Sequence, residues 1–392
     1  MLEAGGRTQI LLVVGLIFLA GCGGALPGDY TADDGEATGG PTIETTTENG
    51  TVEVHYINVG QSVSPLIVGP DSDTMLVDTG HYNDDGEYVL QYLQAHDITR
   101  IDHLVTSHND ADHIGGNAAV IEHFETEADG IGAIYDPGIA ASTQTYEEYL
   151  DAVETHDVTL YETREGDTID FGTTDIAVLG PPDPYLENRA RNENSIVLKI
   201  THGETSFLLS GDAEDDQEAY LVDTYGNQLE STVLKAGHHG SSSSSSEPFL
   251  DTVTPQTVVI SSAYDSRYGH PTETVLQRFA DRSIPAFWTA NHGNTVFISN
   301  GTAVSAQTQQ AAPTDPTALR EGSAISPGTT GEVTERLLLT GDDTTTVDTD
   351  DSERTDDSDE ETTTAEESAT TFEIVDINAD AEGDDRENLN DE

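Results

Sequence analysis

Lysine is nearly absent from this sequence. Of 392 residues only 14 are Lys or Arg, and of these only Lys199 and Lys235 are lysines, against 75 Asp plus Glu and a formal net charge of −61. No basic patch is available to neutralise a phosphate backbone, which disfavours nucleic-acid binding by counterion release. Cysteine is confined to Cys22, so an intramolecular disulfide is excluded. The N-terminal apolar run, Ile10 to Leu19, is too short for a comfortable membrane span. What is plentiful is acid. Residues 341–392 hold 22 acidic and two basic residues, about a third of the net charge, and the rest is spread over the chain. Dispersed carboxylates repel one another in dilute salt and are screened within a few ångströms in molar salt, so the composition reads as a surface suited to high salt.

Composition also divides the chain. Arg7, the apolar run and Leu19-Ala20-Gly21-Cys22 resemble the signal peptide and lipobox of exported lipoproteins. The resemblance implies cleavage and lipidation at Cys22 (segment 1–22) and anchoring at the outer face of the cytoplasmic membrane. Residues 23–51, rich in Gly, Thr, Asp and Glu, cannot repay the entropy of ordering and read as a flexible tether. From 52 to 305 short apolar strands such as VEVHYINV, TMLVDTG, TSFLLSGD and TVVISSA alternate with helical stretches such as EYVLQYLQAH. A dozen strands with a few helices imply an α+β domain, two sheets covered by helices. Residues 306–370 return to Thr, Asp, Glu, Ser and Pro and read as a disordered acidic linker. Residues 371–392 open on a strand and resemble an incomplete lamin-tail segment, a small β-sandwich.

Chemistry concentrates in SHNDADHIGG, residues 107–116. His108, Asp110, Asp112 and His113 follow a strand, and Gly115-Gly116 precede a helix. Alternate positions of an extended loop point the same way, so His108 and Asp110 can hold one ion, and Asp112 and His113 a second. Such a pair of divalent ions would lower the pKa of a shared water and stabilise charge on a phosphate oxygen, hydrolysing a diester without a protein nucleophile.

Five landmarks in order, INVGQ (57–61), LVDTG (76–80), SHNDADHIGG, LLSGDAE (208–214) and LKAGHHGSS (234–242), resemble the metallo-β-lactamase-fold hydrolases. RYGHP (267–271) and NENSIVLKI from Asn192 resemble, within them, the hydrolase domain of ComEC-type DNA-uptake proteins and the phosphorylcholine esterases. The resemblance implies an αββα sandwich and two divalent ions, zinc or, given the carboxylates, manganese. It assigns His108, Asp110 and His238 to one ion, Asp112, His113 and His270 to the other, and Asp212 to both. His239 is the rival to His238 and otherwise a group behind the site; with Asp112 and Asp212 it makes up the catalytic set. Asp78 is placed behind a ligand histidine, Asn194 in the loop facing the site, and Arg189 and Arg191 near a substrate phosphate. The serine run 241–246 reads as a flexible loop. Related chains carry an acid where Val63 stands in GQSV, a departure that bears on substrate contacts and not on the ligands.

The implied activity is a surface-anchored, metal-dependent phosphodiesterase or nuclease, with nucleic acid disfavoured by charge. The alternatives are a hydrolase of lactams, lactones or other esters, and an inactive surface binding protein. The oligomeric state is not legible.

Overall fold

A strand buried on both faces sends successive side chains into two different cores, and this alternation builds the protein. A computed structural model describes residues 50–340 and 343–346. Cys22 with the signal segment, nearly all of the tether, the acidic stretch beyond 346 and the lamin-tail-like segment lie outside these residues. The first part of the chain forms β1 (Val52–Tyr56), β2 (Pro65–Val68), β3 (Thr74–Val77), α1 (Glu87–Ala95), β4 (Ile101–Val105), α2 (Asn117–Glu127), β5 (Ile131–Asp136), α3 (Gln144–His156) and β6 (Leu160–Glu162). The middle forms β7 (Asp175–Gly180), β8 (Val197–His202), β9 (Thr205–Leu209), α4 (Asp215–Tyr225), β10 (Val233–Lys235), α5 (Glu247–Val253), β11 (Thr257–Ile260), α6 (Glu273–Asp281) and β12 (Ala286–Trp288). The chain then adds α7 (Thr289–His292), β13 (Thr295–Ser299), β14 (Ala303–Thr308), β15 (Thr334–Thr340) and β16 (Asp343–Thr346).

Two sheets result. One has the order β16-β15-β14-β13-β1-β2-β3-β4-β5-β6, the other β12-β11-β10-β9-β8-β7. Val54, Met75 and Val105 of the first meet Leu198, Phe207 and Val259 of the second in the inter-sheet core. The alternate residues face outward. Leu66 and Leu76 pack under Leu93, Phe124 and Tyr149 of α1 to α3, while Val197, Leu234 and Val258 pack under Leu221, Phe249 and Phe279 of α4 to α6. The architecture is the αββα sandwich expected from the sequence. Among the described residues no helix is long and apolar enough to cross a membrane.

The folded unit runs well past the expected boundary at 305. β14 crosses that boundary, and β15 pairs antiparallel with it from Ala303↔Thr340 to Thr308↔Thr334. Leu337 and Leu339 enter the inter-sheet core, and Leu319 joins the core under α6. Between β14 and β15 the chain is fixed mainly by amide side chains: Asn291 Nδ2 donates to Leu319 O (2.6 Å), Asn294 Nδ2 to Thr329 O (3.0 Å) and Gln310 Nε2 to Ser323 O (2.8 Å). Polar anchoring leaves no hydrophobic period, so a sequence pattern reads the segment as linker. Ahead of β7 the chain makes two isolated bridges, Thr168↔Ala177 and Phe171↔Thr174.

Parallel pairing places the chemistry. β3, β4 and β5 run parallel, as do β9, β10, β11 and β12. Their C-terminal ends therefore open on one edge, where Asp78, residues 107–113, Asp212, His238, His239 and Ser261 follow the strands.

Candidate metal centre

Asp78 organises the histidines. Its Oδ1 accepts the Ser107 backbone N–H (2.7 Å), and its Oδ2 accepts the Ser107 hydroxyl (2.7 Å) and His113 Nδ1–H (2.7 Å). With its proton committed to Asp78, the Ser107 oxygen accepts from His108 Nδ1 (3.1 Å). One buried carboxylate thus fixes the tautomer of both rings, His113 directly and His108 through Ser107. His239 is fixed differently: its Nδ1 donates to Ser261 O (3.0 Å) at the end of β11. All three rings consequently turn their Nε2 atoms inward.

Those atoms converge with two carboxylates. His113 Nε2 lies 3.1 Å from Asp212 Oδ2 and 3.3 Å from His239 Nε2, and His239 Nε2 lies 3.4 Å from Asp212 Oδ2 and 3.5 Å from Asp112 Oδ2. Candidate ligand atoms of His108, His113 and Asp212, and of Asp112, His113 and His239, each fall within 4.8 Å of one another. His108 Nε2 is buried with no hydrogen-bond partner. Three imidazole Nε2 atoms crowded against two carboxylates call for a shared cation, and the donor set suits one or two divalent ions. The charges show the same demand. Burial opposes ionisation of Asp212, yet His113, His239 and Lys235 hold its carboxyl well below the usual range. Burial likewise disfavours a charged His113, yet Asp212 and Asp78 raise it well above an ordinary histidine. Burial, with His113 alongside, pushes His108 down to about 4.

The loop is held by close approach of backbone. A Cβ on Gly115 would lie 2.2 Å from the His81 carbonyl carbon and the Tyr82 nitrogen, so only glycine lets the start of α2 pack on the turn after β3. His238 and His239 both occupy the left-handed region (φ 46° and 57°), a strain that separates the two rings.

The sequence model of the metallo-beta-lactamase superfamily matches residues 57–263. The chain belongs to that superfamily. It is 31% identical over 259 residues to ComE operon protein 3 of Bacillus subtilis, covering 62% of this chain and 32% of that protein. It is 35% identical over 222 residues to competence protein ComA of Neisseria gonorrhoeae, covering 56% of this chain and 28% of that protein. The chain thus spans about a third of the length of the curated relatives it matches. Among solved structures it is similar to the metallo-beta-lactamase fold protein YhfI of Bacillus subtilis, with TM-score 0.44 and 13% identity over 64% of this chain and 100% of that one.

Within this superfamily scaffold, the sequence-based ligand assignment changes in three places. His239, expected behind the site, is among the convergent groups, whereas His238 lies at their edge and outside both clusters. His238 Nδ1 pairs with Glu214 Oε1 at 2.7 Å, and its Nε2 stands 3.8 Å from Asp212 Oδ2. Adjacent histidines cannot be told apart from spacing alone; the left-handed backbone decides. Asp110 stands apart from the convergent groups, its Oδ1 held by Arg191 Nε and its Oδ2 3.7 Å from His108 Nε2. His270 lies at the rim, its ring 6.4 Å from that of His239 and 5.7 Å from that of His238. Burial and its neighbours His239 and His238 push it down to about 4.

Other candidates have structural roles. Asn194 pins its own loop, accepting from Leu186 N (2.8 Å) and donating to Ala190 O (2.7 Å). Arg189 lies 4.5 Å over the Tyr185 ring. His292 is buried in the core beside Phe287, away from the site. The serine run is clamped rather than loose: Glu218 accepts the N–H groups of Ser245 (2.5 Å) and Ser246 (2.8 Å), and Arg278 Nη1 donates to Ser244 O (2.9 Å) and Ser245 O (3.1 Å). Sequence reasoning missed Ser107, Glu214 and Lys235. A serine before a histidine and a lysine inside a strand carry no motif of their own.

Proposed function

We propose that this protein is a metal-dependent phosphodiesterase anchored at the cell surface. One observation carries the choice of an anionic substrate: in a chain poor in cations, an arginine, Arg191, stands beside the metal centre, paired with Asp110 next to His108. A second arginine, Arg267, lines a cavity together with Gln61 and His81. A lactam or neutral ester would make no use of a guanidinium beside the ligands; a phosphodiester would.

In this reading His108 with Asp212 would hold one divalent ion, zinc or manganese, and His113, Asp112 and His239 the other, with Asp212 shared and Asp110 close to the first. Bound divalent ions supply Lewis-acid activation of water and neutralise charge on a phosphoryl oxygen. The chain's own contribution is orientation: Asp78 and Ser107 fix two rings, Ser261 O fixes the third, and Lys235 offsets the inner oxygen of Asp212 at 3.6 Å. In this reading Arg191, paired with Asp110 beside His108, is the residue that would meet a non-bridging phosphate oxygen. The general negative charge favours short diesters over long nucleic acid.

The test is metal content and hydrolysis of bis-p-nitrophenyl phosphate in high salt, alongside DNA, a lactam and a simple ester. A protein that binds metal and cleaves the lactam or ester but no phosphodiester refutes the reading, as does diester activity that survives Asp212→Ala and chelation. Surface anchoring rests on Leu19-Ala20-Gly21-Cys22; an N-terminal peptide without lipid on Cys22 refutes it.

A further inference from the structure

Asp110 has two claimants. Its Oδ1 accepts the Nε–H of Arg191, and its Oδ2 stands 3.7 Å from His108 Nε2, an atom buried without a hydrogen-bond partner. The groups that converge for the first ion are His108, His113 and Asp212, and Asp110 belongs to neither convergent set. A carboxylate charge shared with a guanidinium is charge withheld from a divalent ion, so the two cations compete for it. The backbones beneath the pair are tied. Asp110 O accepts the N–H groups of His113 (2.9 Å) and Ile114 (3.1 Å). On the other side Arg191 O accepts Asn194 N–H (3.1 Å), Glu193 accepts the N–H groups of Asp216 (3.1 Å) and Gln217 (2.8 Å) at the start of α4, and Ser195 Oγ accepts Asp212 N–H (3.2 Å). Ile196 N–H donates to Ser107 O (2.8 Å) and closes the Arg191 loop onto the ligand loop. Any exchange of partners is thereby left to two side chains, 38% and 30% exposed.

The guanidinium is only partly committed. Among the described residues Asp110 is the one hydrogen-bond partner of the Arg191 side chain, through Nε. The terminal N–H groups of such a planar fork match two oxygens of a phosphodiester. Charge then links the two ligands of the site. While Asp110 offsets its charge, Arg191 attracts an anion weakly. A divalent ion that draws on Asp110 leaves the guanidinium uncompensated, and a diester seated on the guanidinium loosens its hold on Asp110. Each ligand therefore acts on the other through one carboxylate.

We propose that Arg191 and Asp110 form an exchange pair that makes divalent-ion binding and diester binding cooperative: Arg191 competes with the ion for Asp110, and the anion relieves the competition. Linkage then requires that each ligand tighten the other by the same factor. The inference rests on the phosphodiesterase reading for the identity of the anion, and adds that the resting centre holds its first ion loosely until a substrate arrives. A residue that only supported Asp110 would, when removed, weaken the hold on the ion, as loss of an outer partner does. Removing a competitor strengthens it.

Binding of Mn²⁺ to the full chain in high salt is followed by the electron paramagnetic resonance of the free ion, with dimethyl phosphate as the anion because a simple diester chelates the ion weakly. In the parent, saturating dimethyl phosphate is expected to tighten Mn²⁺ at least tenfold. Without the anion, Arg191→Gln is expected to bind Mn²⁺ at least threefold more tightly than the parent, and with it to gain no more than a further threefold. A damaged fold does not bind its ion more tightly, so this gain separates the exchange from a structural effect. Asp110→Asn removes the contested carboxylate, and in that background Arg191→Gln is expected to leave Mn²⁺ affinity unchanged. Equal or weaker Mn²⁺ binding by Arg191→Gln overturns the exchange, as does a parent whose Mn²⁺ affinity ignores the anion. An enhancement that survives Arg191→Gln in full also overturns it, because direct contact between ion and phosphate gives that by itself. Hydrolysis of bis-p-nitrophenyl phosphate is measured in the same preparations. Cleavage with no response of Mn²⁺ affinity to Arg191→Gln refutes the exchange and leaves the phosphodiesterase standing; the exchange without cleavage of any diester does the reverse.

Discussion

Replacing Asp78 by asparagine keeps its volume and removes its charge, and its three partners make the consequence calculable. The native carboxylate accepts Ser107 N–H on one oxygen and the Ser107 hydroxyl and His113 Nδ1–H on the other, each at 2.7 Å. An amide has one oxygen to offer. Turned one way, its NH₂ faces the Ser107 backbone N–H, leaving a buried donor against a donor at a cost of about 1–3 kcal/mol. Turned the other way, it faces His113 Nδ1 and drives the ring proton to Nε2, where it occupies the lone pair that points at Asp212 and His239. Either outcome disturbs the metal centre, and loss of such an outer partner costs roughly 10–100-fold in metal affinity. Asp78→Asn is therefore expected to stay folded, lose about 1–3 kcal/mol of stability and bind metal at least tenfold more weakly. Competition against a chromophoric chelator, with circular dichroism to establish folding, measures both. A folded variant whose metal affinity lies within twofold of the parent refutes the orienting role of Asp78.

Four other outcomes are expected. His239→Ala should lower the metal stoichiometry while His238→Ala leaves it unchanged; the opposite result restores the ligand choice made from sequence. A chain ending at residue 305 should not fold, because Leu319, Leu337 and Leu339 each contribute about 1.5–3 kcal/mol of burial, and limited proteolysis of the full chain should give a resistant fragment reaching past 340. Burial pushes His292 down to about 4 from 6.5, so the unfolded chain binds the extra proton first and stability falls as pH drops from 6.5 to 4, by about 3 kcal/mol at the limit from this group; urea midpoints across that range should fall less steeply in His292→Gln, His108 and His270 supplying the remaining slope. Dialysis from molar to about 0.05 M salt, where the screening length grows, should unfold the protein by circular dichroism, and a fully retained cooperative transition would exclude an acidic surface that depends on salt.

The layers were legible because alternation in strands such as TMLV and TVVI has a single physical meaning, a residue for each face. The ligand loop was legible because His and Asp at short spacing before Gly-Gly serve few other purposes. Three things were not. The choice between His238 and His239 rests on left-handed backbone that adjacent identical residues conceal. Asp110 sits where spacing would have it ligate, but Arg191, 81 residues away, meets it first. The segment 309–333 is folded by side-chain amides bonding to carbonyls, a device with no period, and its Pro327 helps wall the cavity beside the metal centre. Each miss involves a partner distant in sequence.

The scarcity of lysine acquires a physical meaning from where the two lysines lie. Both are inside: Lys199 is 8% exposed and Lys235 1%. Lys199 Nζ donates to the carbonyl oxygens of Gln228 (2.6 Å) and Glu230 (2.7 Å), and burial lowers it to about 8. Lys235 Nζ donates to Gly211 O (2.8 Å) and stands 3.6 Å from Asp212 Oδ1. No lysine therefore remains for the surface anywhere in the chain, and the permanent side-chain cations that reach water are arginines. A compact ammonium is retained where a point charge must meet backbone carbonyls in a confined space, a task the planar guanidinium suits poorly. For Asp212 the division is specific: one oxygen is compensated from within by Lys235, the other faces His113 and His239. The same carboxylate is thus kept ionised in the protein interior while its outer oxygen remains available to the site.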